Sequence, residues 1–421
     1  MRILVVSGEY PPMKGGVGRY TYHLVNALKK NNKRNIDVYI VTNSHKDKTN
    51  TGISSPLVDD KNTTVHDDID NSNDDNNSIF HGIIKKGDIK NSDHLLALVQ
   101  QLKPDIVNIQ YERGLYEIDT TVRHMFRRIL YGSTLDKFYK ECPVPTVSTL
   151  HTVFPYREYK EYIKERALIK EGRLASLPSP LRAAIRKWVM NQRYGLLQEV
   201  VRLSSDIISP AKTIHKIVKR GTVIYHGAEP AQPLSTANKH EFRKEFGLPD
   251  DKMLLLAFGY VGSYKGFDIL DNLSLPKDWF LVVKQNKHER GREQPLRISN
   301  AINLSLGHID DITLSKLFFG CDAIIFPYKL VSVSGVLFDA LAHGLPFVAS
   351  NLEFFREFEE MQLGLTCNRD MKSFSDSITN LSEYYNRYKE NVQQFNPKLR
   401  WSNIANDHIE FYSKLLESSS R

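Results

Sequence analysis

Cysteine is scarce in this chain, and long apolar runs are missing. Its three cysteines among 421 residues, Cys142, Cys321 and Cys367, lie far apart. An odd number of distant cysteines argues against a disulfide framework and against a zinc site, so we expect a reduced compartment, the cytoplasm. No stretch of about 20 apolar residues occurs, which excludes a membrane span by length. The first apolar run, at residues 3–6, is interrupted too soon by Glu9 for a signal peptide.

Charge is unbalanced, yet no nucleic-acid motif accompanies the excess. Lysine and arginine outnumber aspartate and glutamate by 57 to 49, which gives a net charge of +8. A basic protein favours an anionic partner, but the sequence has no recognisable nucleic-acid-binding module. We therefore expect no nucleic-acid partner, while nucleoside diphosphates and anionic lipid surfaces remain open. The sequence also contains no metal-ligand cluster, so we expect a function without a metal or another cofactor.

Short apolar runs alternate with turns and helical patterns along the chain. They predict strands at residues 3–6, 38–41, 106–109, 146–150, 206–209 and 223–224, and again at 254–258, 280–283, 323–326 and 347–349. This rhythm is typical of βαβ units and predicts an α/β fold with two doubly wound parallel sheets in tandem. Gly227, Pro230 and Pro233 break the pattern between the two series. We assign residues 1–205 to the first domain and 206–399 to the second.

Two segments stand apart from this pattern. Residues 43–78 are rich in Asn, Asp, Ser and Thr, and they cannot bury enough apolar surface to offset their ordering entropy. They are predicted to form a flexible inserted loop, with a docking segment as the alternative. Residues 156–193 interleave many Lys and Arg with apolar side chains. This mixture fits a solvated helical hairpin or a contact with an anionic membrane surface.

The first glycine-rich turn, Gly15-Gly16-Val17-Gly18, follows the first predicted strand. Adjacent glycines before a helix let the backbone approach a ligand without a side-chain clash. Their spacing is not that of the GxGxxG dinucleotide fingerprint. A tight strand-to-helix turn without a ligand is the alternative interpretation.

A second glycine-rich turn contains a lysine. Gly259 and Tyr260 end a predicted strand, and Lys265 follows in the loop. A lysine here can neutralise a pyrophosphate, including the charge that grows as a nucleoside diphosphate leaves. An exposed loop lysine is the alternative.

A serine and glycine turn opens a helix after the apolar run 323–326. Ser334, Gly335 and Val336 would begin this helix, whose first N–H groups can hold a phosphate or a sugar hydroxyl. Asp339, one turn further on, can accept hydrogen bonds from a ribose or hexose diol. His151 lies directly after another apolar strand, where open parallel sheets bind ligands. It has either a structural role or a hydrogen bond to a sugar.

In this order the motifs resemble those of retaining GT-B glycosyltransferases of the large family-four type. Tyr225-His226-Gly227-Ala228 stands where that family usually has an Asn-Gly-Val turn, and residues 339–346 match its helix and the turn that follows. The resemblance implies two Rossmann-like domains that face a cleft, with a nucleotide-sugar donor on the second domain and the acceptor on the first. It also implies that a C-terminal helix, residues 400–421, crosses back to the first domain.

The resemblance assigns roles to individual residues. His151 and Lys265 would be catalytic, with His151 at the transferred sugar and Lys265 at the pyrophosphate. The donor would be bound by residues of both domains, namely Gly16, Val17, Gly259, Tyr260, Ser334, Gly335, Val336 and Asp339. No metal is implied. The acceptor would be a glycan or a lipid-linked hydroxyl compound, and contact with an anionic membrane would be peripheral, at its cytoplasmic face.

The chain departs from the family at three positions. Val331 stands where the family has its first glutamate, Asp339 replaces the second, and Tyr260 replaces an arginine common in the donor loop. The turn at 332–335 could supply hydroxyls and amides to the sugar instead. Two other functions therefore stay open. One is a glycan- or nucleotide-binding protein without turnover, and the other is a different GT-B enzyme, such as a sugar-nucleotide epimerase or a glycan phosphorylase.

Overall fold

The computed structural model describes residues 1–31, 35–43, 78–117, 133–158, 178–231, 237–286, 295–299, 301–307 and 309–419. Most of the predicted flexible loop, 44–77, and much of the basic segment, 159–177, lie outside these residues. The end of the basic segment lies within them, in a long helix at Ser179–Leu203. In the part of the chain that is described, no helix is long and apolar enough to cross a membrane.

The first domain is built on a parallel sheet that has seven strands within the described ranges. Its spatial order is β3-β2-β1-β4-β5-β6-β7. The strands are β1 Arg2–Ser7, β2 Asp37–Asn43, β3 Ile79–Ile84, β4 Ile106–Tyr111, β5 Thr146–Leu150, β6 Asp206–Ser209 and β7 Thr222–Val223. The helices are α1 Gly16–Lys29, α2 Asn91–Leu102, α3 Arg113–Tyr116, α4 Asp136–Glu141, α5 Ser179–Leu203 and α6 Lys212–Val218.

The second domain has a parallel sheet of six described strands in the order β10-β9-β8-β11-β12-β13. The strands are β8 Met253–Tyr260, β9 Trp279–Asn286, β10 Ala301–Asn303, β11 Ala323–Phe326, β12 Phe347–Ser350 and β13 Gly364–Cys367. Its helices are α7 Ala237–Glu245, α8 Asp311–Gly320, α9 Gly335–Ala342, α10 Glu353–Glu359, α11 Met371–Glu383 and α12 Tyr385–Phe395. Short 3₁₀ helices lie at Ser263–Lys265, Phe267–Asn272 and Asn396–Leu399.

The central strands are apolar throughout because helices cover both faces of each sheet. In β1, Leu4 and Val6 belong to the apolar cluster on one face, while Ile3 and Val5 belong to the cluster on the other. All four side chains are fully buried. The alternation follows from the two-residue period of a strand. The two parallel sheets with their covering helices confirm the predicted α/β class with two Rossmann-like domains.

The last helix, α13 at Trp401–Ser419, returns to the first domain. Its buried Trp401, Ile404 and Tyr412 join the same apolar cluster as Ile3 and Val5. The first domain is therefore completed by a segment that follows the second domain in the chain.

The predicted domain boundary at 205/206 is wrong. Strand β6 pairs with β5, and β7 pairs with β6, so residues 206–223 belong to the first sheet. The runs themselves were predicted as strands. An apolar run does not reveal which neighbouring strand it pairs with, and this is why the boundary was drawn too early. The second sheet begins with β8 at Met253.

Candidate active site

Loops that follow strands of the two sheets meet across a cleft. Val153, which follows β5, donates its N–H to Ser332 Oγ over 2.8 Å, and that hydroxyl donates back to the Val153 carbonyl over 2.7 Å. Ser332 belongs to the loop between β11 and α9. Its hydroxyl is thus occupied by a contact between the domains, which argues against the expected use of this group for a sugar.

The glycine turn after β1 is closed by an acidic side chain of the protein itself. The Gly18 N–H donates to Glu9 Oε2 over 3.0 Å. A Cβ atom on Gly15 would collide with this carboxylate, so a larger residue there would displace the Glu9 side chain. Burial raises the pKa of Glu9, although the Gly18 and Val17 amides favour its charged form. The role of Gly16 and Val17 at a phosphate stays a prediction, since a carboxylate already faces the start of α1.

Arg19 of α1 joins two aspartates of the second domain. Its Nη1 lies 2.8 and 3.1 Å from the two carboxylate oxygens of Asp339, whose side chain is 5% exposed. Its Nε lies 2.7 Å from Asp311 Oδ1, and His23 Nε2 lies 3.0 Å from Asp311 Oδ2. Burial acts to raise the pKa of Asp311, but the His23 hydrogen bond and the Arg19 charge together hold it well below its usual range. A ribose contact at Asp339 stays a prediction. In this conformation the carboxylate binds Arg19.

His151 lies at the cleft in its neutral form. Its Nε2 lies 2.9 Å from Gln110 Oε1 at the end of β4, and the Tyr20 ring packs against it at 4.9 Å between centroids. Burial, together with repulsion from His226, lowers the pKa of His151 to about 3. Near neutral pH the ring is therefore uncharged, and it acts by hydrogen bonding.

Lys265 lies in the 3₁₀ turn after β8, against the ring of Tyr328. Its Nζ donates to Tyr328 Oη over 2.6 Å and lies 3.9 Å from the ring centroid. Its side chain passes over Gly259, where an added Cβ would lie 3.4 Å from Lys265 Cε. Gly266 follows with φ +68°, and a Cβ there would collide with the Pro327 carbonyl. Desolvation lowers the pKa of Lys265 to about 7.

The start of α9 lies next to Lys265. Ser334 precedes the helix, and its buried Oγ makes no regular hydrogen bond within the described ranges. This hydroxyl lies close enough to Tyr328 to lower the pKa of that phenol, although burial outweighs the effect. Gly335 has His226 as its neighbour, since an added Cβ would lie 3.3 Å from His226 Nε2. A lysine, a serine hydroxyl and a helix N-terminus thus meet in one place, an arrangement that suits a phosphate.

Two of the three positions at which the chain departs from the family, Val331 and Tyr260, are explained by their packing in the second domain. Val331 packs against the apolar core of the second domain. Tyr260 ends β8 opposite Asn286 of β9 and is half-buried. Val336 lies in the first turn of α9 and also packs against that core. In the described residues, no group of three or more His, Cys, Asp or Glu is arranged as a metal site.

Four residues of the site were not predicted from the sequence: Glu9, Arg19, Gln110 and Tyr328. The sequence held a readable signal for three of them. Glu9 and Arg19 flank the glycine turn. A charged residue beside such a turn can bind the backbone amides of the turn or a charged residue of the domain that faces it. Gln110 also interrupts an apolar strand, which is unusual for a position buried on both sides.

No protein-family model matches this chain. A protein of Methanocaldococcus jannaschii, named an uncharacterized glycosyltransferase, is 26% identical to it over 239 residues. The match spans 52% of this chain and 60% of that protein, so the chain spans about three fifths of the relative's length.

Solved structures resemble the chain over nearly its whole length. HepE of Anabaena, solved with UDP, superposes with a TM-score of 0.61 at 14% identity and covers 98% of this chain and 100% of its own. Sucrose-phosphate synthase of Thermosynechococcus elongatus gives 0.59 at 13% identity and 99% of both chains. A glycosyltransferase of Rickettsia africae gives 0.58 at 12% identity and 98% of both. At these identities the likeness shows the fold, and the predicted GT-B arrangement is confirmed.

Proposed function

We propose that the protein is a retaining glycosyltransferase. It moves a hexosyl group from a nucleoside diphosphate sugar to a hydroxyl group of a glycan or a lipid-linked acceptor. The observation that carries the proposal is the group formed by Lys265, Tyr328 and Ser334 at the start of α9. His151 belongs to the same site, since the Tyr20 ring contacts both His151 and His226, and His226 lies beside Gly335.

The proteins compared above support a nucleotide-sugar donor. HepE was solved with UDP and also with UDP-glucose. The archaeal relative carries the name of a glycosyltransferase, although its match covers only part of each chain. We therefore propose a nucleoside diphosphate sugar as the donor substrate, with no resident cofactor.

Charge separation is the step that the site is suited to assist. When the bond between the sugar and the diphosphate breaks, the sugar becomes oxocarbenium-like and the diphosphate gains negative charge. The Lys265 ammonium and the first N–H groups of α9 would stabilise the leaving diphosphate. A neutral His151 would hold a hydroxyl of the transferred sugar. Donor binding would also raise the pKa of Lys265, because an anion next to an ammonium favours its charged form.

The location of the enzyme is part of the proposal. Three unpaired cysteines are typical of a reducing compartment, and we place the protein in the cytoplasm. A lipid-linked acceptor would bring it to the inner membrane face, where the basic segment 156–193 would meet anionic lipids.

The direct test is transfer by the purified protein, offered a panel of nucleotide sugars and hydroxyl acceptors. We expect transfer from one donor, with the anomeric configuration of the donor retained in the product. Lys265→Ala should lower turnover at least 100-fold. Lys277→Ala is the matched control, since Lys277 is exposed and precedes β9, at the opposite end of the strands from the loop that follows β8.

Each other outcome has a definite meaning. A product with inverted configuration would refute the retaining mechanism. Donor binding without transfer or hydrolysis would favour the nucleotide-sugar-binding protein, a candidate favoured by the apolar Val331. If no donor bound and none was turned over, the whole proposal would fail. Equal turnover of Lys265→Ala and Lys277→Ala would remove Lys265 from the mechanism.

A further inference from the structure

Two amide side chains are buried in the middle of the first sheet. Asn108 and Gln110 lie two residues apart in β4 and therefore on one face of the strand, and both are fully buried. A parallel sheet covered by helices is normally apolar at such positions. Burying an amide is unfavourable unless its hydrogen bonds are made, so these two residues need a local explanation.

The amides form a chain of hydrogen bonds that ends at His151. Asn108 Nδ2 donates to Tyr412 Oη of α13 over 2.7 Å. Gln110 Nε2 donates to Asn108 Oδ1, which also accepts from Thr149 Oγ1 over 3.3 Å. With its amino group used in this way, Gln110 turns its Oε1 towards His151 Nε2 at 2.9 Å.

The orientation of the Gln110 amide determines which ring nitrogen of His151 carries the proton. A carbonyl oxygen accepts only, so the imidazole nitrogen facing Gln110 Oε1 must carry hydrogen. A neutral imidazole has one N–H, and its other nitrogen is then an acceptor. The ring is half-buried, so part of it remains open to the cleft.

We propose that Gln110 is a positioning residue that fixes the Nε2–H tautomer of His151 and leaves Nδ1 as a hydrogen-bond acceptor for a hydroxyl of the bound sugar. The choice of a sugar hydroxyl rests on the proposed function. The tautomer does not, because it follows from the hydrogen bonds within the first domain.

The other groups around His151 support a neutral ring. The rings of Tyr20, in α1, and His151 pack edge to face. The Tyr20 hydroxyl lies 3.4 Å from His408 Nε2 of α13. His226, which follows β7, is the neighbouring titratable side chain and is itself held neutral, since burial lowers its pKa to about 4. Asp339 and Arg19 act on His226 with opposite signs.

Nitrogen-15 NMR of the histidine side chains tests the tautomer directly, with the His151 signals assigned by their loss in His151→Gln. We expect Nε2 protonated and Nδ1 unprotonated in the wild-type protein. Gln110→Glu keeps the side-chain shape but loses the N–H that donates to Asn108. Its carboxylate still accepts from His151 Nε2–H, so we expect the same tautomer and a proton affinity of His151 that is at least 100-fold higher. A proton on Nδ1 in the wild type, or an unchanged titration in Gln110→Glu, would overturn the proposal.

Transfer assays test the effect of Gln110 on activity. Gln110→Glu should give a turnover that falls as pH drops through the raised pKa of His151, while the wild type stays flat there. Gln101→Leu, an exposed change on α2, is the matched control and should leave the profile flat. A correct tautomer with no transfer for any donor would refute the proposed function alone. Transfer with the wrong tautomer, or an equally flat profile in Gln110→Glu, would refute this inference alone.

Discussion

Lys265→Met should stabilise the free protein while it removes activity. The wild-type lysine has its pKa lowered from 10.5 to about 7 by desolvation in the cleft wall. At about 1.4 kcal/mol for each pH unit, holding the Lys265 ammonium in this site costs at most on the order of 5 kcal/mol, and less because the side chain is only half-buried. Methionine follows a similar unbranched path and carries no charge.

The interactions that Lys265→Met removes contribute less stability than the desolvation cost that it removes. The hydrogen bond to Tyr328 contributes about 1 kcal/mol, and the contact of the ammonium with the Tyr328 ring contributes about 1 kcal/mol. We therefore expect Lys265→Met to be more stable than the wild type by about 1–2 kcal/mol at pH 7. An exposed change such as Lys277→Met should shift the free energy of unfolding by less than about 0.5 kcal/mol.

The pH dependence gives the sign of the effect. Between about pH 7 and 10.5 the unfolded chain holds a proton on Lys265 that the folded protein lacks, so the wild type gains stability as pH rises. Below pH 7 Lys265 is charged in both the folded and the unfolded protein, and the folded protein bears the full cost of desolvating the ammonium. The stability difference between variant and wild type should therefore be largest below pH 7 and shrink towards pH 10.

Urea unfolding of both proteins at pH 6.5, 8 and 9.5 measures this difference. Other titrating groups are shared by the two proteins and cancel in it. A variant less stable than the wild type at pH 6.5, or a difference independent of pH, would refute the view that Lys265 is held at a cost for ligand binding.

Two further predictions concern the same cleft. Binding of UDP at pH 8 should take up a proton, because the diphosphate raises the pKa of Lys265. Calorimetry in two buffers of different ionisation enthalpy detects the uptake, and Lys265→Met should abolish it. Arg19→Met should destabilise the protein by about 2 kcal/mol, since it leaves the buried Asp339 without its cation. It should also increase the radius of gyration measured by small-angle X-ray scattering, and an unchanged radius would show that Arg19 does not hold the domains together.

The central strands could be predicted from the sequence, while most edge strands could not. Strands β3, β10 and β13, which were missed, all lie at the edges of their sheets. An edge strand pairs on one side only and needs less apolar surface, so its signal is weak. Ala301–Asn303 has only three residues, and Gly364–Cys367 only half-buried residues after its glycine.

The residue types of the candidate site were readable, but their partners were not. His151 and Lys265 follow strands, and Asp339 lies one turn into the helix that follows another strand, at the end of the sheet where open parallel sheets bind ligands. The contact between Arg19 and Asp339 joins residues 320 positions apart. It depends on how two domains dock, and no local pattern records that. The same holds for Gln110, which donates to Asn108, a residue that is itself hydrogen-bonded to Tyr412 of the last helix.

The return of α13 to the first domain has a consequence for synthesis. Trp401 packs directly on Gly227, and Ile404 and Tyr412 complete a core whose first members are Ile3 and Val5. Chains fold as they emerge from the ribosome, usually with the N-terminal domain first. Here the second domain, contiguous in the chain, can finish folding earlier. The domain whose synthesis begins first is therefore completed last, and until α13 is made the apolar surface that α13 covers, beside α1, stays exposed.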